Sequence, residues 1–281
     1  MKERKVKTII AYILLGILAF LFIFPLLWMI SSSMKPEANI YTEMGSIKAL
    51  LPSFTVSDWF AAYKSLFARF NIAGYVGNSL IYATIVAIGA ILVNALAGYA
   101  FAKFEFKGKK FIFLMLLALL IIPTEALIIN QFTVVHKLGL VNTRIAVMLP
   151  LFANVFFIYL FRNFFMAVPD AIIESAKIEG ATNWMVFWKI MMPMSKPAIA
   201  TVGTLAFIAS WNDYIWPLMI LTDSEKYPLQ VAITNINATN PVYTNEVMAI
   251  LTVSTIPLVI VYIFAQKYLM QGLGNSGTGE K

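Results

Sequence analysis

The side chains that could take part in chemistry are few in this sequence, and they lie in unusually apolar surroundings. Glu125 follows Pro123, and Asp213 lies beside Trp211 and Asn212 in the stretch SWNDYIWPL. Carboxylates inside a lipid bilayer are costly and are functional candidates by default. Two interpretations stay open. The carboxylates stabilise helix breaks near prolines, or Glu125, Trp211, Asn212 and Asp213 line a path for a polar solute, where aromatic rings suit stacking on a sugar.

Most catalytic and metal-binding constellations are missing from the sequence. It contains no cysteine and a single histidine, His136, so the ligand sets of common metal sites and of proton relays are incomplete. No glycine-rich phosphate loop, H-E-x-x-H motif or serine nucleophile with an orienting base is present. We therefore expect no catalytic residue, metal or cofactor in this chain. If ATP is used, another subunit binds it.

The composition is typical of a membrane protein. Hydrophobic residues make up 60% of the chain and charged residues 12%, whereas soluble domains average about half and about a quarter. The alternating pattern of a β-barrel is absent, so helices are predicted to span the membrane. The net charge of +7 comes from lysines and arginines at the ends of apolar runs. This distribution indicates contact with membrane lipid and disfavours a nucleic-acid partner.

Six apolar runs predict six transmembrane helices in a single domain, 1–281. The predicted spans are 8–30, 76–101, 111–129, 145–161, 198–221 and 247–265. The first run is longer than the core of a signal peptide and is predicted to be a retained anchor. With both termini in the cytoplasm, inner lysines and arginines outnumber outer ones by about two to one, as the positive-inside rule favours. The predicted fold class is an all-α, polytopic membrane protein.

The segment between spans four and five, 169–197, fits neither a span nor an ordinary loop. Its stretch ESAKIEGATNWMVFWKIMMP combines four charges with a glycine and a run of aromatic residues and methionines. Pro169 is predicted to stop the preceding span and Asp170 to cap a first helix. Gly180 is predicted to end that helix in a tight turn.

A second helix is predicted to begin near Thr182 or Asn183 and to continue until Pro193 and Pro197 end it. Its large apolar residues are predicted to lie along one side: Trp184, Phe187, Trp188 and Met191. The residues alone also allow a simpler interpretation, in which the whole segment is an amphipathic loop on the membrane surface.

The same segment resembles the signature of a known family. The residues concerned are Glu174, Ser175, Ala176, Gly180, Ile190, Met192 and Pro193. Their order and spacing are similar to E-A-A-x3-G-x9-I-x-L-P, the pattern of inner-membrane permease subunits of ABC importers. Ser175 replaces the usual alanine and Met192 the usual leucine, and both changes are small in volume.

Four further stretches extend the resemblance along most of the chain: GYAFAKFEFKGKK, KLGLVNT, FRNFFMAVPDAIIESAKIEGA and SWNDYIWPL. They are similar to the carbohydrate-uptake branch of that family, and specifically to the smaller of its two permeases, such as the second membrane subunit of the maltose importer. Six spans also agree with that subunit. The tail QGLGNSGTGEK departs from the usual ending of the family.

The resemblance implies a membrane complex in the inner membrane of a bacterium or archaeon. This chain would pair with a second permease subunit, two copies of a cytoplasmic ATPase subunit would bind ATP and Mg²⁺, and an extracytoplasmic solute-binding protein would deliver the solute. That solute would be a sugar or oligosaccharide, and much of its site can lie in the other permease.

The resemblance further implies that 169–197 is a cytoplasmic coupling loop. Its first helix would sit in a cleft of one ATPase subunit, where Glu174 would form a charge-assisted hydrogen bond. Ala176 would allow close approach, and Gly180 would permit the sharp turn. The ATPase-coupling residues implied in this way are Glu174, Ser175, Ala176, Gly180, Ile190 and Pro193.

Three alternatives belong to other solutes or other classes of protein. The solute could be a phosphorylated polyol such as glycerol phosphate, although no arginine lies in a predicted span to bind a phosphate. An ion-coupled secondary transporter would need buried carboxylates and inverted repeats, and neither is visible. A membrane enzyme would need a catalytic constellation that the sequence does not contain.

Overall fold

The computed structural model describes residues 2–274, with the side chains of residue 5 and of 7–267. The α-helices of this part are α1 (Lys2–Ser33), α2 (Glu37–Thr42), α3 (Ala61–Arg69), α4 (Ile72–Lys103), α5 (Lys109–Ala118), α6 (Thr124–Lys137), α7 (Arg144–Met148), α8 (Val155–Met166), α9 (Asp170–Ile178), α10 (Asn183–Val186), α11 (Met192–Met194), α12 (Lys196–Trp211), α13 (Ile215–Ile220), α14 (Leu229–Asn237) and α15 (Thr244–Gly274). Short 3₁₀ turns and one π-helical turn, Phe187–Met191, connect them. No strand occurs among the described residues. Most of the unusual tail, 275–281, lies outside them.

Three stretches of helix are individually long and apolar enough to cross a membrane. They are Lys7–Ser33, Ile72–Lys103 and Thr244–Lys267, and they coincide with the predicted spans 8–30, 76–101 and 247–265. The prediction of an all-α chain with several membrane-length helices is therefore confirmed.

The other predicted spans correspond to broken helices. Lys109–Ile121 and Thr124–Lys137 meet at 107°, and Arg144–Leu151 and Val155–Met166 meet at 48°. If each bent pair is one span, the described residues contain up to five spans. The predicted span 198–221 corresponds to α12 and the short α13, which are separated by residues 212–214. The count of six spans stays a prediction.

The chain divides into two compact units. The terminal unit contains residues up to 73 together with 232–257, and the central unit contains 74–231 together with residues from 258 onward. Each is described by itself below. The single membrane domain expected from the sequence stays a prediction.

A buried carboxylate, Glu246, connects distant parts of the terminal unit. Its side chain is 4% exposed, and it forms an ion pair with Arg69. Ser65 donates a hydrogen bond to it at 2.5 Å, and Arg69 also donates to the carbonyl of Pro241 at 3.0 Å. Because the carboxylate accepts from both partners, its burial is compensated. This arrangement joins α3 to the first turn of α15.

The start of α15 is capped by a side chain from α2. Glu37 accepts hydrogen bonds from the backbone amides of Thr244 and Asn245, both at 2.9 Å. Amides in the first turn of a helix have no acceptor within the helix, and a carboxylate is the favourable partner there. Asn245 returns a side-chain hydrogen bond to the carbonyl of Lys35 at 3.1 Å.

In the central unit, Asn94 of α4 stabilises the break between α7 and α8. Its amide nitrogen donates to the carbonyl of Phe152 at 2.8 Å, and its amide oxygen accepts from the backbone amide of Asn154 at 2.9 Å. Asn154 in turn caps α8 by accepting from the amide of Phe156 at 2.9 Å. Asn94 is completely buried. The backbone groups that the break leaves without helical partners are therefore satisfied.

One turn further along α4, a glycine lets the two helices approach closely. A Cβ atom at Gly98 would lie 2.7 Å from Cβ of Phe161 and 2.9 Å from the backbone nitrogen of Arg162. The nitrogen of Arg162 belongs to the backbone, so it cannot move aside without a large energetic cost. This contact fixes the distance between α4 and α8.

The turn that follows α6 is attached to the segment after α13. Asn142 adopts a left-handed conformation with φ of 61°, which asparagine tolerates better than most residues. Its amide donates to the carbonyl of Ile220 at 2.8 Å, and its side chain accepts from the amides of Thr222 and Asp223 at 3.2 and 3.1 Å. The asparagine in the KLGLVNT stretch therefore has a structural role in this fold.

Replacing Asn94 with leucine, which has a similar volume, is expected to destabilise the protein by about 2–5 kcal/mol, because two buried backbone groups lose their partners. Thermal unfolding in detergent measures the effect. Asn237→Leu, at the exposed end of α14, is the control and is expected to leave the midpoint unchanged. Equal midpoints for both variants would contradict the role assigned to Asn94.

Candidate functional site

The first helix of the segment 169–197 is α9, Asp170–Ile178. Pro169 occupies the N-cap position, so the prediction that Asp170 caps the helix is wrong. Asp170 is instead the first residue of the helix, because the φ angle that the proline ring imposes on Pro169 suits the residue ahead of a helix. The carboxylate of Asp170 forms an ion pair with a lysine.

That lysine is Lys103, the last residue of α4. Its Nζ donates to the carbonyl of Val168 at 2.7 Å and to Oδ1 of Asp170 at 2.6 Å, while its own side chain is only 9% exposed. The hydrogen bond and charge of Lys103 hold the pKa of Asp170 below the ordinary value for an aspartate. The start of α9 is therefore attached to the end of α4.

Gly180 ends α9 in the way the sequence predicts. Its φ is +86°, in the left-handed region where a Cβ atom is unfavourable. The amide of Gly180 donates to the carbonyl of Lys177 at 3.0 Å, and the amide of Ala181 donates to the carbonyl of Ala176 at 2.9 Å. These two bonds form a Schellman motif, which satisfies carbonyls at the helix end.

One side of α9 is open and the other is packed. Glu174 and Ser175 are exposed, and Ile178 is 87% exposed, which is unusual for so large an apolar side chain. Ile173 is buried and Ala176 is half-buried, and both pack against the core of the central unit. The exposed side is a surface that another molecule could cover.

The second helical stretch runs from α10 to α11. It begins at Asn183 as expected, with Thr182 as N-cap accepting from the amide of Met185 at 3.2 Å. Three of its apolar residues lie together as predicted, since the Trp184 ring stacks on that of Phe187 at a centroid distance of 5.9 Å and the Trp188 ring contacts it at 5.0 Å. Their burial differs: Phe187 and Met191 are fully buried, whereas Trp184 is 59% and Trp188 39% exposed.

The second helical stretch ends at Ser195, between Pro193 and Pro197, the two prolines predicted to end it. Pro193 itself lies within α11 and does not interrupt the helix. Proline lacks an amide proton and its ring clashes with a regular preceding turn. The wider π turn directly ahead of it provides a place where a proline fits. Ile190 is half-buried and packs against the core, and Pro193 is exposed.

Phe187 connects this stretch to two membrane helices. Its ring centroid lies 5.3 Å from that of Tyr99 in α4 and 6.4 Å from that of Phe165 in α8. Tyr99 and Phe165 are themselves in edge contact at 6.0 Å. The hydroxyl of Tyr99 donates to the carbonyl of Asn183 at 3.4 Å. We refer to Tyr99, Phe165 and Phe187 as the aromatic cluster.

The structure brings three of the four candidate path residues to one cavity of about 490 Å³. Glu125, Asn212 and Asp213 line it, together with Gln131 and Tyr214. Trp211 does not line it, because its side chain is fully buried and stacks on Phe207 at 5.9 Å. The cavity has two carboxylates, and no lysine or arginine is among its described lining residues.

Both carboxylates lie at helix breaks. Glu125 is in the first turn of α6, immediately after the 107° bend at Pro123, where a negative charge is favourable. Asp213 lies between α12 and α13 and accepts a hydrogen bond of 3.4 Å from the amide of Trp216. These groups therefore lie at breaks and also face a cavity, and the assignment of the cavity to a solute path stays a prediction.

Comparison with known proteins identifies relatives over nearly the whole chain. Residues 90–275 match the family described as binding-protein-dependent transport system inner membrane component. The chain is 30% identical to the arabinooligosaccharides transport system permease protein AraQ of Halalkalibacterium halodurans, over 98% of this chain and 99% of the relative. It is 33% identical to the sn-glycerol-3-phosphate transport system permease protein UgpE of Yersinia pestis bv. Antiqua, over 71% of this chain and 72% of the relative.

A solved structure is similar in fold as well as in sequence. It is a chain in the crystal structure of a bacterial ABC transporter involved in the import of the acidic polysaccharide alginate. The two chains are 27% identical and superpose with a TM-score of 0.85, which covers 96% of this chain and 98% of the other.

Lys103→Met is expected to loosen α9, because the buried carbonyl of Val168 loses its donor at a cost of about 1–3 kcal/mol. Asp170→Asn removes only the charge of an exposed partner and should have a much smaller effect. Hydrogen exchange of the α9 amides measures both.

The stabilisation that the Lys103–Asp170 ion pair gives to α9 depends on pH with a defined sign. Because the pKa of Asp170 is lowered in the folded protein, the ion pair stabilises the fold at neutral pH and is lost only as the pH falls below about 4. Protection of the α9 amides in the wild type, corrected for the intrinsic exchange rate at each pH, should therefore fall only in that acidic range, and only by the small amount expected for Asp170→Asn. Equal protection in the two variants would contradict the tethering role of Lys103.

Proposed function

The chain belongs to the family of binding-protein-dependent transport system inner membrane components, and on this premise we propose that it forms half of the translocation pathway of an ABC importer for a sugar or oligosaccharide. The other half is assigned to a second permease subunit. Two copies of a cytoplasmic ATPase subunit bind ATP and Mg²⁺, and an extracytoplasmic binding protein delivers the solute. In this proposal the chain itself catalyses no reaction.

The proposed topology has six spans with both termini in the cytoplasm of a bacterium or archaeon. The fifth span is formed by α12 and α13 together, and the coupling loop extends from α9 to α11. The distribution of lysine and arginine supports this orientation. It puts α9 on the side of the membrane where ATP is available.

One observation carries the coupling part of the proposal: α9 has an open outer side and a firmly held inner side. Glu174, Ser175 and Ile178 are exposed, so an ATPase surface can cover them. Lys103 holds the start of the helix to α4, and the aromatic cluster joins the rest of the loop to α4 and α8. Movement of α9 by a partner is thereby transmitted to the membrane helices.

The charge of the cavity lining supports an uncharged solute. The cavity beside α6 and α13 contains the carboxylates of Glu125 and Asp213 and no lysine or arginine among its described lining residues. Such a lining repels phosphate and uronate groups but offers acceptors for sugar hydroxyls. The relative named for arabinooligosaccharides also matches over more of this chain than the one named for glycerol phosphate. Glycerol phosphate remains the second candidate.

Gly180→Asp is expected to abolish uptake and co-purification of the ATPase subunits while membrane insertion stays normal. Apart from the adjacent residues, no described atom lies within 4 Å of a Cβ at Gly180, so beyond the backbone strain of a positive φ the added side chain would meet only the partner. Gly139→Asp is a matched control, because Gly139 also has positive φ and open space around it but lies after α6. It should retain the ATPase. Normal uptake by Gly180→Asp would disprove the assignment of α9 as the coupling helix.

Uptake into membrane vesicles is expected to require internal ATP and to survive a protonophore, because Glu125 and Asp213 are not proposed to carry protons. Labelled neutral oligosaccharide should be taken up in preference to glycerol phosphate when each is supplied with its own binding protein. Uptake that follows the proton gradient in ATP-depleted vesicles would favour a secondary transporter. Preferential uptake of glycerol phosphate would favour the second candidate solute.

A further inference from the structure

A groove of about 730 Å³ lies between the loop after α4, the start of α5 and the end of α8. Three basic side chains line it, Lys109, Lys110 and Arg162, with a single acidic one, Glu105. It is separate from the coupling loop surface and from the cavity that contains Asp213. The charges in the groove are therefore predominantly positive.

Arg162 is held in place but keeps free donors. Its Nε donates to the carbonyl of Phe101 at 3.4 Å, and its guanidinium carbon lies 4.3 Å from the ring centroid of Phe113. Within the described part of the chain, its terminal nitrogens form no hydrogen bond or ion pair. A positioned guanidinium with unused N–H groups is well suited to bind a phosphate.

The two lysines add to this positive charge. Lys109 forms an ion pair of 2.9 Å with Glu105, whose side chain is 90% exposed, so water screens the pair and weakens it. Lys110 is exposed and has no ion pair or hydrogen bond with any described residue. One carboxylate cannot neutralise three cations, and the groove therefore favours an anion.

The groove continues directly into an apolar surface on α5. Lys110, Leu114 and Leu117 are spaced four and three residues apart, so they lie on one side of the helix. Leu114 is 65% exposed, and Phe111, also in the lining, is 66% exposed. A water-soluble anion would make no use of this surface. An amphiphile with a negative head and an acyl chain would match both parts.

We propose that this groove binds an anionic phospholipid at the membrane surface where α4 ends. The phosphate of the headgroup contacts Arg162 and Lys110, and an acyl chain lies along Leu114 and Leu117. Basic pockets between membrane helices are suited to such headgroups, and each nearby lysine or arginine strengthens binding about fivefold. The lipid would hold the α4–α5 loop against α8.

The test uses the assembled transporter after removal of lipid in detergent. Binding of phosphatidylglycerol is compared with that of phosphatidylcholine of the same acyl length and with inorganic phosphate. We expect the wild type to prefer phosphatidylglycerol. Lys110→Gln should weaken that binding about fivefold, and because Lys110 is exposed, the variant should fold normally. Lys107→Gln removes the same charge three residues away and outside the groove lining, and it should change little.

Several results would overturn the proposal. Equal binding of the two lipids would show that the headgroup charge is not recognised. Equal losses in Lys107→Gln and Lys110→Gln would indicate general attraction to a basic surface. Displacement of the lipid by millimolar inorganic phosphate would identify a site for a free anion. Phosphatidylglycerol binding by the isolated chain but not by the assembled transporter would identify the groove as a protein interface.

Discussion

Backbone amides and carbonyls inside a bilayer have no water to bind, so each must find a partner within the protein. The central unit contains helix breaks where the regular ladder of hydrogen bonds stops, and its architecture depends on how these are satisfied. Asn94 supplies both a donor and an acceptor to the break between α7 and α8, and Asn154 caps the helix that follows. The close approach at Gly98 keeps α4 near enough to α8 for these bonds to form. The bend of 48° between α7 and α8 is therefore a specified feature of the fold.

The same helix, α4, also receives the loop between α8 and α12. Lys103 at its end binds the backbone and the first residue of α9, and Tyr99, one turn earlier, contacts Phe165 and Phe187. Large aromatic rings in contact move together, because interiors are close-packed and leave no space for independent displacement. A force on α9 therefore acts on α4 and α8 together.

Hydropathy and turn chemistry predicted much of this organisation. Three long spans, the helix after Pro169 and the left-handed turn at Gly180 all followed from sequence, because each depends on local composition or on one residue's conformational freedom. The breaks were harder to predict. Pro123 signals that a helix is interrupted, but nothing local determines a bend of 107°. No sequence pattern indicates the role of Asn94, because an uncharged amide in an apolar run hardly changes mean hydropathy and its hydrogen-bond partners lie in a backbone segment about 60 residues away.

The position at which the second helical stretch ends, beyond Pro193, has a related cause. A proline after an aromatic stretch normally ends a helix, and only the preceding π turn lets α11 continue through it. A π turn has no reliable signature in the sequence, and the first and last residues of this one, Phe187 and Met191, are both fully buried. The local rule for proline therefore does not fix the exact end of a helix whose period changes.

Breaks and polar cavities in this protein have a common physical origin. A break in a membrane helix is stable only where side chains satisfy the exposed backbone groups, and those side chains must be polar. Where the break is not fully enclosed by neighbouring helices, the same polar groups face open space. Asp213 illustrates this, because it accepts from the amide of Trp216 and also lines the cavity. The hydrogen bond from the Trp216 amide therefore fixes the carboxylate of Asp213 in position while that carboxylate faces the cavity.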